Sequence, residues 1–167
     1  MTGRGAAAGA VGPGAHLLIT GGAGFIGSEL VRRVLGRGDG TRVTVLDKLT
    51  YAGNRANLAM VEAEPEQAGR FSFVRGDIAD AAVVAPLVAA ADAVVNVAAE
   101  THVDRSILDP EAFLRTGVIG VHVLLEAVRA EAGRAGAAPA PGRMTLGQHR
   151  GDIRPFTDTG GQRSTRW

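Results

Sequence analysis

The eight residues Thr20–Gly27, reading TGGAGFIG, constrain this chain more than any other stretch. An apolar run, His16–Ile19, precedes them and an amphipathic stretch, Phe25–Leu35, follows, so the glycines sit where a strand gives way to a helix. Gly22, Gly24 and Gly27 satisfy G-x-G-x-x-G, and Gly21, Gly24 and Gly27 satisfy the G-x-x-G-x-x-G variant. A turn this tight needs residues that tolerate positive φ, and a diphosphate reaches backbone N–H groups only where no Cβ intervenes. The first N–H groups of the helix then face the anion. With 24 glycines among 167 residues the fingerprint alone is weak, and the surrounding pattern has to decide.

That pattern is consistent. Ile26, Leu30 and Val34 recur at helical spacing, and Gly36, Gly38 and Gly40 end the helix. Thr41–Leu46 reads as a second buried strand closed by Asp47, which lies 20 residues beyond Gly27. A dinucleotide fold places there the carboxylate that accepts hydrogen bonds from the adenosine ribose, and such a charge repels a 2′-phosphate, so NAD is expected over NADP. Lys48–Asn54 is a loop, Asn54 to about Ala68 an interrupted helix, and Phe71–Arg75 a third strand. The strand exits through Gly76, Asp77 and Ile78. Asp77 is either a turn former or, beneath the adenine, an acceptor for its amino group. Asp80 caps a helix over Ala81–Ala89, Ala93–Val97 is a fourth strand, and Asp109–Ala132 is a long helix whose seam runs through Leu114, Val118, Val121, Leu125 and Val128. One face of that helix is expected on the sheet and another is available to a partner helix.

Alternating strands and helices of this kind predict an α/β fold, the first half of a Rossmann-type doubly wound parallel sheet with about four β-α units. The expected organisation is a flexible leader over 1–15, a partial NAD-binding domain over 16–132 and a disordered tail over 133–167. Residues 1–132 carry a net charge of −3 and residues 133–167 one of +4, and the tail holds Pro139, Pro141 and Pro155 with no sustained apolar run. No fifth strand is expected in it, which leaves the apolar strand Ala93–Val97 with an open edge. The tail's charge is too dispersed, and too poor in aromatics, for nucleic acid. Without a run of about 18 apolar residues or an apolar leader core, no membrane contact is expected and the cytoplasm is the expected address. The absence of Cys excludes disulfides, thiolate catalysis and cysteine-ligated metal, and no metal site is expected.

Five motifs together are more specific than the glycines. TGGAGFIG, DKLTYAGN (Asp47–Asn54), RGDI (Arg75–Ile78), NVAAETHVDRSI (Asn96–Ile107) and LLEA (Leu124–Ala127) resemble the nucleotide-sugar dehydratases of the extended short-chain dehydrogenase/reductase family. The resemblance covers about residues 16–132. It implies that Phe25 and Ile26 join Gly21, Gly24 and Gly27 in the diphosphate turn, that Asp47, Lys48, Leu49 and Thr50 form the adenosine loop, and that Asp77 and Ile78 contact adenine. Val97, Ala98, Ala99 and Glu100 would run past the nicotinamide ribose, Thr116 would lie near the cofactor, and Thr101 would be a hydroxyl at the sugar site. His102, Asp104 and Arg105 belong to the same signature, either at the site or as residues that fix its loop. Gly117 stands where such proteins usually have Asn.

The implied reaction on a nucleotide sugar is an internal redox cycle: hydride leaves C4 of the sugar for NAD, water is lost across C5 and C6, and the hydride returns to C6. The family performs it with a Tyr lowered in pKa by a Lys four residues later, and with an adjacent Asp and Glu. Here Tyr51 is the only tyrosine and Lys48 the only lysine, in the wrong order, and no Asp-Glu dipeptide occurs. No catalytic residue is therefore assigned, and the expectation is a frameshifted or truncated dehydratase inactive alone. The alternatives are another NAD-dependent sugar-nucleotide epimerase or dehydratase, or a non-catalytic module that binds NAD or dimerises through the 109–132 helix.

Overall fold

The computed structural model describes residues 12–100, 110–134 and 143–146. The expectations for Thr101, His102, Asp104 and Arg105, for the start of the leader and for most of the tail fall outside them.

Five strands form one parallel sheet: β1 (His16–Thr20), β2 (Arg42–Asp47), β3 (Phe71–Arg75), β4 (Ala93–Asn96) and β5 (Arg143–Leu146), in the spatial order β3-β2-β1-β4-β5. The register aligns Thr20 with Leu46 on one side and with Asn96 on the other. The three central strands therefore end side by side. Chain order reverses between β1 and β4, the crevice where open α/β sheets bind ligands.

The period-2 alternation of the strands divides the core into two layers. Leu17 and Ile19 point to one face, with Val43 and Val45, and meet Val31, Val34 and Leu35 of α1 (Phe25–Leu35) together with Leu58 and Val61. Leu18, Leu46 and Val94 point to the other, against Val84 and Val88 of α4 (Ala81–Ala89) and Leu124. Between β2 and β3 the expected interrupted helix is a 3₁₀ turn (Arg55–Leu58) followed by the short helices α2 (Ala59–Ala63) and α3 (Pro65–Ala68). Arg70 fastens three chain ends at once, its guanidinium donating to the carbonyls of Leu35, Thr41 and Glu66. Among the described residues no helix is long and apolar enough to cross a membrane.

Two expectations change. The long helix is three segments, α5 (Pro110–Leu114), a π-helical turn (Arg115–Gly120) and α6 (Val121–Arg134). The wider turn re-phases the helix, so the residues that meet the core are Thr116, Gly120, Val123, Leu124, Ala127 and Val128, while Leu114, Val118 and Leu125 of the expected seam are largely exposed. The second change is at the sheet edge. Arg143–Leu146 lies in the stretch read as structureless, yet pairs parallel with β4 from Ala93↔Arg143 to Asn96↔Leu146. Its backbone covers the edge expected to be open, and four residues are enough because β4 itself is only Ala93–Asn96.

Candidate functional site

Gly21 follows β1 with φ +69°, a left-handed conformation that costs a side-chain-bearing residue about 1–2 kcal/mol. Its Cα hydrogens face β4's exit: a Cβ there would stand 2.6 Å from the Ala98 backbone. Gly21 N–H donates to the Leu46 carbonyl at 2.9 Å and Val97 N–H to the Thr20 carbonyl at 3.1 Å, so the turn is tied to both neighbouring strands. Beneath it, Thr20 Oγ1 donates to Asn96 Oδ1 in a fully buried pair. A Cβ on Gly27 would fall on the Gly21 carbonyl oxygen, so the first turn of α1 can lie against the loop only without one.

The helix begins at Gly24, which offers no side-chain cap. No acidic residue occupies its first turn, and its leading N–H groups open at the crevice beside Gly24. Phe25 is 90% exposed and Ile26 lies partly open beside it. This uncapped N-terminus, with glycine at the points of closest approach, suits the diphosphate of a dinucleotide.

Asp47 closes β2 and is buried. Its Oδ2 accepts the Ala23 N–H at 2.9 Å and its Oδ1 accepts the Leu49 N–H at 2.8 Å, joining the glycine turn to the loop after β2. Leu49 holds φ +57°, an unusual conformation for a branched residue, kept by that bond. The Ala23 carbonyl in turn accepts from Asn54 N–H at 3.1 Å and from Asn57 Nδ2 at 2.8 Å. Ala23, Asn54 and Asn57 thus sew the Lys48–Asn54 loop to the glycine turn. Sequence reasoning left Ala23 and Asn57 out, because their roles are carried by backbone and by a partner 34 residues away.

At β3's exit Asp77 is mostly buried and Ile78 fully so. Asp77 Oδ1 accepts the Ala79 N–H at 2.9 Å, while Oδ2 meets Lys48 Nζ at 2.9 Å and Arg115 Nε at 3.2 Å. Burial alone would raise its pKa, but the Ala79 N–H and the two cations outweigh it and hold the carboxyl below its ordinary value. Arg115 had no signal in the sequence; only the fold joins it to Asp77. Val97, Ala98 and Glu100 are half-buried and Ala99 is exposed beyond β4, and Thr116 is buried in the π turn. Lys48 is exposed and Thr50 half-buried. Among the described residues there is no cluster of metal-ligating side chains.

A parallel sheet ordered 3-2-1-4-5, with a glycine turn at its switch point and an acid closing the second strand, defines a Rossmann-type α/β domain. The chain belongs to the GDP-mannose 4,6 dehydratase family, which it matches over residues 18–138. It is 54% identical over 114 residues to dTDP-glucose 4,6-dehydratase of Mycolicibacterium smegmatis, an alignment covering 68% of this chain and 33% of that protein. It is 55% identical over 117 residues to the same enzyme of Streptomyces niveus, covering 67% and 33%. Among solved structures, the dTDP-glucose 4,6-dehydratase DesIV of Streptomyces venezuelae, with NAD bound, superposes with a TM-score of 0.63 at 49% identity, covering 70% of this chain and 36% of that one. The chain therefore spans about a third of the length of the relatives it matches.

Proposed function

We propose that this chain binds NAD and forms the cofactor-binding part of a nucleotide-sugar 4,6-dehydratase acting on dTDP-glucose in the cytoplasm. The observation that carries the reading is the joint between Asp47 and the glycine turn. A single buried carboxylate fixes the Ala23 N–H and the Leu49 N–H, and so sets the adenosine loop against the diphosphate turn. Gly21, Gly24, Phe25, Ile26 and Gly27 would hold the diphosphate, Asp47 with Lys48, Leu49 and Thr50 the adenosine ribose, and Asp77 with Ile78 the adenine. Val97–Glu100 would line the nicotinamide side, Thr116 would lie near the cofactor, and Thr101 would face the sugar. When bound, NAD supplies a hydride acceptor and donor.

The chain's own residues bind and orient. They hold no Tyr-x-x-x-Lys and no Asp-Glu pair, so dehydration by this chain alone is not expected. Calorimetry with NAD and NADP, run beside a dTDP-glucose turnover assay, tests the reading. Saturable NAD binding, with NADP at least tenfold weaker and no turnover, is the expected result. No binding of either nucleotide would refute the cofactor assignment, and turnover would refute the inactivity.

We also propose a second copy as partner, seated on the outward face of α5, the π turn and α6. Leu114, Val118 and Leu125 are 59%, 59% and 45% exposed there, a row of large apolar side chains that association would bury.

A further inference from the structure

Arg115 opens the π-helical turn, and its Nε reaches Asp77 Oδ2, 38 residues away in sequence. The same oxygen takes Lys48 Nζ, and Oδ1 takes the Ala79 N–H, so the carboxylate is held from three sides in one orientation. Within the turn Thr116 and Gly120 are buried, and a Cβ on Gly120 would stand 2.5 Å from Ile78. The backbone is therefore pressed against Ile78 while Arg115 reaches the neighbouring Asp77. Its side chain remains 53% exposed, so the planar group stays at the boundary between protein and solvent. Extra-residue turns of this kind recur at functional sites, where they re-aim a side chain without breaking the helix.

We propose that Arg115 is a further cofactor-contacting residue, its guanidinium lying flat against the adenine ring while Asp77 accepts the adenine amino group at the ring's edge. The proposal rests on the NAD reading above. A guanidinium is planar, delocalised and weakly hydrated, and it stacks on π faces as an ammonium does not. Asp77 grips it through Nε and fixes its place. Stacking tolerates any purine, whereas the hydrogen bond to Asp77 requires the amino group.

That difference supplies the test. NAD and nicotinamide hypoxanthine dinucleotide, which lacks the amino group, are titrated calorimetrically into the whole chain and into Arg115→Ala, Arg115→Lys, Arg115→Met and Asp77→Asn, with each variant's thermal midpoint recorded. Arg115→Ala and Arg115→Met are expected to weaken both dinucleotides by about tenfold. Arg115→Lys should recover less than half of that loss, and Asp77→Asn should weaken NAD more than the hypoxanthine dinucleotide. Unchanged affinity in Arg115→Ala would overturn the proposal, as would a loss confined to NAD, because Arg115 would then act only through Asp77. Tighter binding would overturn it too, since adenine and Arg115 would then be competing for Asp77. Full rescue by Lys would reduce Arg115 to a point charge. Failure of the unaltered chain to bind either dinucleotide would instead refute the NAD reading beneath it.

Discussion

Asp47 has two duties that a single substitution separates from ordinary surface loss. Its two oxygens satisfy two backbone N–H groups inside the turn, and a buried donor left without an acceptor costs about 1–3 kcal/mol. Asp47→Ala is therefore expected to lower unfolding stability by about 2–4 kcal/mol in urea titrations and to abolish detectable NAD binding. Asp47→Asn keeps one acceptor and should fall between the two on both measurements. Asp77 gives a different signature, in pH. Its carboxyl is lowered in the folded chain, so its contribution is present above the unfolded value and is lost as pH falls through the folded one. Asp77→Asn should flatten that acid limb. Stability of the unaltered chain will drop below about pH 4 while the variant's changes less, as thermal midpoints across pH 2–6 would register.

The helices are set by where glycine is required and where it is merely present. Gly27→Ala forces a Cβ onto the Gly21 carbonyl oxygen, and the glycine turn has to move. A loss of at least tenfold in NAD affinity, with a destabilisation above about 2 kcal/mol, is expected in calorimetry and urea unfolding. Gly117 is the opposite case: nothing lies within 4 Å of a Cβ there, and its φ is not positive. Gly117→Ala should stabilise the chain by about 0.5–1 kcal/mol, since the residue sits in a helical segment and alanine loses less backbone entropy on folding. A Gly117→Ala variant less stable than the unaltered chain would contradict the openness of that face.

Across the whole molecule two surfaces decide behaviour. The outward row of Leu114, Val118 and Leu125 predicts concentration-dependent association. Leu114→Glu combined with Val118→Glu should give a monomer by sedimentation while leaving the buried face of Thr116, Gly120 and Leu124 untouched. The second surface is the sheet edge at β4. Because β5 pairs with it, the amides of Val94–Asn96 should resist hydrogen exchange as strongly as those of Val43–Leu46. Rapid exchange in β4 alone would restore the open edge that the sequence suggested.

The succession of strands and helices along the chain, the glycine turn and the acid closing β2 were legible in the sequence, because each is written in local terms: period-2 apolar runs, helical spacing, and glycine where a chain turns. Asp47 was found by its distance along the chain from Gly27. The tertiary structure alone decided three things. Arg115 joins Asp77 because a π turn re-aims it across 38 residues, and no local pattern encodes that contact. Ala23 becomes the hub of the loop after β2 through its backbone N–H and carbonyl, which every residue type but proline shares and which composition therefore hides. Arg143–Leu146 pairs with β4, a strand whose pattern is masked by the basic, proline-bearing sequence around it, because hydrogen bonds to an existing edge need little from its side chains.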